Sequence, residues 1–238
     1  KGLPIVVKAS GLALGKGVFV CKTIEEASSA LKEIFVNKIF GEAGSEVVIE
    51  EFLTGPEISI HAISDGKSYQ IFPVAQDHKT IFENNQGPNT GGMGTIAPVG
   101  WVSPEELEII EDTIIRPTFE GLKKDGRPFT GLLFPGIMMT PAGPKVLEFN
   151  TRFGDPETES YMRLLKTDLV EIAQACMSQK LDNLKLKWED GAACTIILAS
   201  KGYPGIYEKG KEITGVSEAE KIPNVVVFHC GTADKDGK

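Results

Sequence analysis

Glu148 and Asn150 are the residues of this chain best suited to hold a cation. They lie two apart in Val146-Leu147-Glu148-Phe149-Asn150-Thr151-Arg152-Phe153-Gly154-Asp155-Pro156-Glu157. Side chains alternate along a strand, so Glu148 and Asn150 share one face, while Leu147 and Phe149 are expected to point into a core. Two oxygen ligands side by side, with the Arg152 guanidinium just beyond, suit Mg²⁺ or Mn²⁺ bridging the phosphates of a nucleotide. On this strand alone, a half-buried segment with a polar outer face is the better explanation of the pattern.

A second motif far upstream shifts the balance. Lys8 is followed by Gly11-Leu12-Ala13-Leu14-Gly15-Lys16-Gly17. Gly11, Gly15 and Gly17 would let backbone N–H groups close on phosphate oxygens without interference from a Cβ, and Lys8 and Lys16 add positive charge. The motif is not a P-loop, which needs G-x-x-x-x-G-K-[ST] between a strand and a helix. The spacing is one residue short, Gly17 stands where the hydroxyl should be, and a strand follows. The expected arrangement is strand, glycine loop, strand: a flap over phosphates, with a flexible hairpin as the plainer alternative. Lys8 sits in an otherwise apolar run, which is unusual for a charged residue without a partner.

The elements that must position these residues can be read in outline. Residues 5–9 and 18–21 are short apolar strands around the glycine loop. Thr23 and Glu26 form a capping box opening a helix with Ala27, Ala30, Leu31, Ile34 and Phe35 on its apolar face. Residues 46–52 read as a buried strand. Residues 58–64 and 69–75 flank Asp65-Gly66, a two-residue hairpin turn. Residues 76–100 form a long, polar, glycine-rich loop, and loops of that length inside a domain are usually functional or disordered. Ser103-Pro104-Glu105-Glu106 caps a helix carrying Leu107, Ile110, Ile114 and Leu122. Residues 130–140 and 145–150 are strands joined by Pro141-Ala142-Gly143-Pro144. Asp155-Pro156 caps a third helix with Leu165, Leu169, Ile172 and Cys176 on one face. A boundary is expected at residues 185–190, followed by a strand at 192–200 and a β-rich tail. Strands and helices mix without strict βαβ alternation, which favours an α+β fold.

Composition excludes several classes. The 238 residues are 41% hydrophobic and 24% charged, as in ordinary globular proteins of one or two domains. No apolar run approaches the roughly 18 residues needed to span a bilayer. A formal charge of −8 argues against a nucleic-acid partner. Cys21, Cys176, Cys194 and Cys230 lack C-x-x-C spacing and read as reduced cytosolic thiols, which points to a cytoplasmic protein without a zinc site. The chain begins at Lys1 without an initiating Met, so an interior piece of a longer polypeptide is expected.

With both motifs in hand, the chain resembles the ATP-grasp superfamily and, within it, the glycinamide ribonucleotide synthetase (phosphoribosylamine–glycine ligase) family. The resemblance is carried by residues 4–18, Val48-Ile49-Glu50-Glu51-Phe52-Leu53, Ala75-Gln76-Asp77-His78-Lys79, Gly87-Pro88-Asn89-Thr90-Gly91-Gly92-Met93-Gly94, residues 145–158 and Ala199-Ser200-Lys201-Gly202-Tyr203-Pro204-Gly205. It implies an ATP-grasp fold, two α+β subdomains gripping ATP, followed by the start of a β-rich C-terminal domain. The divisions expected are residues 1–53 (flap and adenine hinge), 54–188 (core with metal and substrate loops) and 189–238.

The resemblance also implies roles. Lys8 contacts the α/β-phosphates, with Gly11, Gly15, Lys16 and Gly17 around it. The hinge Glu50, Glu51, Phe52 and Leu53 holds adenine through backbone groups, and Glu57 reaches the ribose. Glu148 and Asn150 are the metal ligands, and Arg152, with Lys8 the catalytic pair, stabilises charge during phosphoryl transfer. Asp77, Pro88, Asn89, Thr90, Gly91, Gly92, Arg152, Asp155, Pro156 and Glu157 form the substrate set. Three departures from the family pattern stand out. The pattern begins before Lys1, Glu159 replaces the usual Gln, and Gly94-Thr95-Ile96-Ala97-Pro98 lacks the usual aromatic residue.

The activity implied is ATP-dependent joining of glycine to 5-phosphoribosylamine through glycyl phosphate, with Mg²⁺ or Mn²⁺ as cofactor and possible fusion to other purine-pathway domains. Another ATP-grasp carboxylate–amine ligase and a non-catalytic ATP-binding module are the alternatives.

Overall fold

The computed structural model describes residues 2–13 and 17–234, which divide into two compact units after Gly55. In the first unit, β1 (Ile5–Ala9) is central to a three-stranded antiparallel sheet, between β2 (Val18–Cys21) and β3 (Val47–Glu51). The connection from β1 to β2 is the strand–glycine loop–strand expected. One face packs Val7 and Cys21 against Ala30 and Ile34 of α1 (Ile24–Phe35). The Thr23–Glu26 capping box is formed on both sides. Phe35, expected on the apolar face, is 44% exposed, because Ala30 and Ile34 already fill the contact with the sheet. On the other face Lys8 stands opposite Val18 on one side and Val48 on the other.

The second unit is built on β11 (Thr130–Thr140). This strand pairs with β12 (Gly143–Asn150), β4 (Glu57–Ser59) and β5 (Ala62–Asp65), and β6 (Tyr69–Ile71) extends the sheet beyond β5. β11 is buried on both faces. Leu133 and Ile137 pack with Ile58, Ile110 and Ile115. Leu132 lies on the opposite side with Phe72, Tyr161 and Ile172. A smaller sheet places β10 (Gly94–Ala97) between β7 (Gln76–Asp77) and β13 (Ala193–Ile196), and β8 (Thr80–Phe82) pairs with β9 (Gln86–Asn89). The helices are α2 (Pro104–Ile110), a π-helical turn Glu111–Ile115, α3 (Arg116–Lys124), α4 (Glu157–Leu164), α5 (Leu169–Met177) and the short α6 (Val216–Ala219).

Several expectations need correction. Residues 76–100 are not a loop: they carry four short strands, and β10 is held by β13 from far along the chain. Such long-range pairing leaves little local periodicity to read. The Asp65-Gly66 hairpin exists, but its central residues are Gly66 and Lys67, with Asp65 N–H donating to Ser68 O at 3.1 Å and Gly66 at φ +85°. The third helix is two helices. Leu165 leaves helical geometry at ψ 120°, and Asp168 caps α5 by accepting from Val170 and Glu171 N–H. No side chain caps α4. Within residues 185–190, Trp188 packs edge-on to Phe72 at 5.0 Å. After Ile196, the described residues of the expected β-rich tail form only α6 and turns.

Candidate functional site

The strand β12 does not alternate as a simple strand would. Between Ile137↔Val146 and Gly136↔Glu148 the register shifts, so Leu147 is the extra residue of a β-bulge. Val146 packs on one side of the sheet, against the cluster holding Ile137. Past the bulge, Glu148 lies opposite Gly136 and Asn150 opposite Phe134, on the other side. The bulge thus re-aims the oxygen ligands. Phe149, expected in a core, is instead 49% exposed.

Glu148 and Asn150 do share a face: Asn150 Nδ2 donates to Glu148 Oε1 at 3.2 Å and to Phe134 O at 3.5 Å. With its nitrogen so engaged, Asn150 offers its carbonyl oxygen as the remaining ligand atom. The donor set is therefore all oxygen, as Mg²⁺ or Mn²⁺ prefers. Gly136 separates Glu148 from Glu57. A Cβ placed on Gly136 would lie 3.7 Å from Glu57 Oε1 and 3.8 Å from Glu148 Cγ.

A residue that the motif reading did not single out sits among these groups. Lys79 Nζ is ion-paired with Glu57 Oε1. Burial works against its charge, but Glu57 and then Asp77 and Glu148 outweigh it and hold the ammonium above its ordinary pKa. Three carboxylates thus concentrate negative charge on this face, and the Lys79 ammonium offsets part of it. Lys79 lies inside the Gln76-Asp77-His78-Lys79 stretch, so its spacing from Asp77 was the available signal.

Asp77 is the most perturbed acid of the site. Burial first, and then the Glu157 charge, push its carboxyl up to about 7, with Lys79 pulling the other way. Its Oδ1 is buried without a hydrogen-bond partner among the described residues. The glycine-rich loop lies on it. Thr90 N–H donates to Lys79 O at 2.7 Å and Met93 N–H to His78 O at 2.8 Å, pinning both ends of Gly91-Gly92. Gly92 adopts φ +132°, and a Cβ there would come within 2.5 Å of Pro156 Cδ and 2.8 Å of Asp77 Oδ1. Here glycine is required for both backbone and space.

The remaining substrate candidates divide. Pro88 and Asn89 lie in exposed β9, which leads directly into the pinned turn. Asp155 and Arg152 are exposed. Arg152 donates from Nη1 to Phe153 O at 2.9 Å, with its guanidinium 6.0 Å from the Phe134 ring centroid. Pro156 and Glu157 are buried. Glu157, expected at substrate, is only 2% exposed and accepts from Ser59 Oγ at 2.6 Å, so here it is a buried support.

His61 was also missed. It is fully buried, stacked on Phe134 at 4.1 Å; it accepts at Nε2 from Gly154 N–H at 3.2 Å, and its Nδ1 meets Tyr161 Oη at 3.1 Å. Burial, with the Arg152 charge added, lowers its pKa to about 3. Neutral imidazole can therefore act as an acceptor that fixes the backbone just after Arg152 and Phe153.

In the first unit, Lys8 Nζ pairs with Glu50 Oε2 at 2.6 Å, which supplies the partner its mid-strand position called for. Val18, Val20 and Val48 are 48%, 50% and 44% exposed, so an apolar surface lies alongside the lysine. Gly11 does not present its N–H to a ligand: it donates to Ala43 O at 2.9 Å, and a Cβ would fall 2.5 Å from Ala43 Cα. Close packing, not phosphate, demands glycine there. Gly17 O accepts from Ala9 N–H at 2.8 Å, closing the hairpin. Gly15 and Lys16 lie outside the described residues. Glu51 and Phe52 are exposed and Leu53 half-buried, just before the division at Gly55.

The family model described as phosphoribosylglycinamide synthetase, ATP-grasp (A) domain, matches residues 1–158, and the model for the C domain of the same synthetase matches residues 193–238. A phosphoribosylamine–glycine ligase of Rhodopirellula baltica is 50% identical over 98% of the chain, which covers 54% of that protein. The human trifunctional purine biosynthetic protein adenosine-3 is 51% identical over 98% of the chain and is covered over 23% of its length. The crystal structure of the Thermotoga maritima phosphoribosylamine–glycine ligase superposes with a TM-score of 0.82 at 35% identity, over 99% of this chain and 58% of that one. The chain thus spans about half the length of the single-function bacterial ligases it matches. Its fold is α+β of the ATP-grasp type, and the chain belongs to the phosphoribosylglycinamide synthetase family.

Proposed function

We propose that the polypeptide carrying this chain joins glycine to 5-phosphoribosylamine at the expense of ATP, giving glycinamide ribonucleotide, ADP and phosphate. The observation that carries this reading is the cluster on one sheet face of the second unit. There Glu57, Asp77 and Glu148 lie around Lys79, Asn150 binds Glu148, and Gly92 lies against Asp77. In the reaction a glycine carboxylate oxygen attacks the γ-phosphorus and ADP leaves. The amine then attacks the acyl phosphate carbon, phosphate leaves, and the amine gives up a proton. Phosphoryl transfer depends mainly on positioning and on neutralising charge. Lys79 and Arg152 supply positive charge in the second unit, and Lys8 in the first. Glu148 and Asn150 would hold Mg²⁺ or Mn²⁺, which when bound screens phosphate oxygens as a Lewis acid.

The other residues have supporting tasks. Asp77, with its carboxyl raised to about 7, suits contact with an amine and acceptance of its proton. The valine face beside Lys8 suits a purine base, and Glu50, Glu51, Phe52 and Leu53 the hinge that would hold its edge. Glu57, whose Oε1 is paired with Lys79, is the group proposed for the ribose. The separate match over residues 193–238 supports a third division after residue 188. Among the described residues no helix is long and apolar enough to cross a membrane. The purine biosynthetic role in the relatives' names supports a cytoplasmic location, and the trifunctional and bifunctional relatives support fusion to other purine-pathway domains.

The test is ADP release from the polypeptide carrying this chain, with glycine and phosphoribosylamine added singly and together. ADP and labelled glycinamide ribonucleotide should appear only with both. ADP formation driven equally well by another carboxylate–amine pair would replace this reading with a different ATP-grasp ligase.

A further inference from the structure

The segment after β13 reaches back to the substrate loop through one side chain. Ser200-Lys201-Gly202-Tyr203-Pro204-Gly205 is a pair of tight turns, with Tyr203 N–H donating to Ser200 O at 3.1 Å and Gly205 N–H to Gly202 O at 2.9 Å. Gly202 has φ +102°, and a Cβ on it would lie 2.5 Å from Ile206 O. The turn therefore fixes where Tyr203 starts, and Tyr207 holds its ring edge-on at 5.8 Å. The phenol oxygen ends 3.0 Å from Gly91 N and accepts its N–H, across 112 residues of sequence.

That bond differs from the others in the loop. Thr90 and Met93 N–H are bound to Lys79 O and His78 O, in the connection between β7 and β8, and Gly92 N–H to Thr90 Oγ1 at 3.1 Å. Among the described residues, Gly91 N–H is satisfied from outside the loop, by Tyr203. Without the phenol the two ends of the turn stay pinned while its midpoint, directly above Asp77, loses its hold.

We propose that Tyr203 is a positioning residue for the substrate loop, setting the height of Gly91-Gly92 over Asp77 and making the C-terminal segment part of the site. The inference rests on the ligase reading above. Its effect should be confined to the substrates at this loop, because Lys8 and the valine face lie in the other compact unit.

The test compares Tyr203→Phe and Tyr203→Leu with the wild type in the polypeptide carrying this chain. Tyr203→Phe keeps the ring against Tyr207 and removes only the acceptor. One neutral hydrogen bond corresponds to roughly three- to tenfold. KM for phosphoribosylamine, glycine or both should rise by about that factor in Tyr203→Phe, with KM for ATP and the melting temperature unchanged. Hydrogen exchange in peptides spanning residues 88–93 should quicken by a similar factor. Tyr203→Leu should show the same KM change together with a lower melting temperature. Wild-type exchange and wild-type KM values in Tyr203→Phe would overturn the proposal. A wild type that makes no glycinamide ribonucleotide would remove the ligase reading, and the exchange comparison would still decide for or against the Tyr203 latch.

Discussion

Lys79 and Glu57 form an ion pair directly beside Glu148, so the face that carries the oxygen ligands holds a cation of the protein's own. Gly136, with no side chain, lies between the two glutamates. This arrangement relieves repulsion between carboxylates that a divalent ion would otherwise have to offset. It also means that an arriving ion competes with, or displaces, an ammonium.

Lys79→Met should therefore destabilise the protein in the absence of divalent cations, by about 1 kcal/mol for a partly exposed pair. Millimolar Mg²⁺ should recover more stability in the variant than it adds to the wild type. Thermal unfolding with and without MgCl₂ measures both. Equal stabilisation of the two proteins would show that Lys79 and the ion do not share carboxylates.

Glu148→Gln keeps the size of the side chain and removes its charge. ATP turnover in the polypeptide carrying this chain should fall at least about tenfold, which is roughly 1.4 kcal/mol of barrier. Nucleotide binding should be largely retained, since the groups proposed for the base lie in the other compact unit. A smaller fall would remove Glu148 from the principal ligands.

Gly92 and Gly136 should respond in opposite ways to alanine. At Gly92 the new Cβ would sit 2.5 Å from Pro156 Cδ at φ +132°, so Gly92→Ala should cost more than about 2 kcal/mol and disorder the loop over Asp77. At Gly136 the nearest atom would be 3.7 Å away, an ordinary contact, so Gly136→Ala should fold within about 1 kcal/mol of wild type. Denaturant unfolding of both variants checks the contrast.

Asp77 should leave a signature in the pH dependence of stability. Its folded-state pKa, about 7, lies above the ordinary 3.8, so between those values the folded protein binds a proton that the unfolded chain has released. Stability should accordingly decline as pH rises through that window. Asp77→Asn, which cannot titrate, should lose this part of the slope. Parallel curves for variant and wild type from pH 4 to 8 would show that Asp77 titrates normally.

Much of this was legible in the sequence because it is local. The capping boxes at Thr23 and Ser103, the β1–β2 hairpin around the glycine loop, and the i, i+2 placement of Glu148 and Asn150 depend on neighbours within a few residues. The family motifs carried the substrate loop and the metal pair together as a set, though not their contacts. Local reasoning failed wherever a distant strand intervened. Residues 76–100 read as a loop because the hydrogen bonds of β10 go to β13, nearly a hundred residues on.

Only the tertiary structure decided which side chains face one another. Alternation put Phe149 in a core, but one extra residue, Leu147, turned the end of β12 over and left Phe149 exposed. Gly11 looked like a phosphate donor, yet Ala43 takes its N–H and its space. Glu157 looked like a substrate contact, yet Ser59 binds it inside the protein. Lys79, His61 and Tyr203 gave no periodic signal, since each works through a partner distant in sequence: Glu57, Gly154 and Gly91. Sequence spacing determines side-chain geometry over a turn or a strand. The assembly of charges and hydrogen bonds from separate strands is set by packing, which places together groups that the chain order keeps apart.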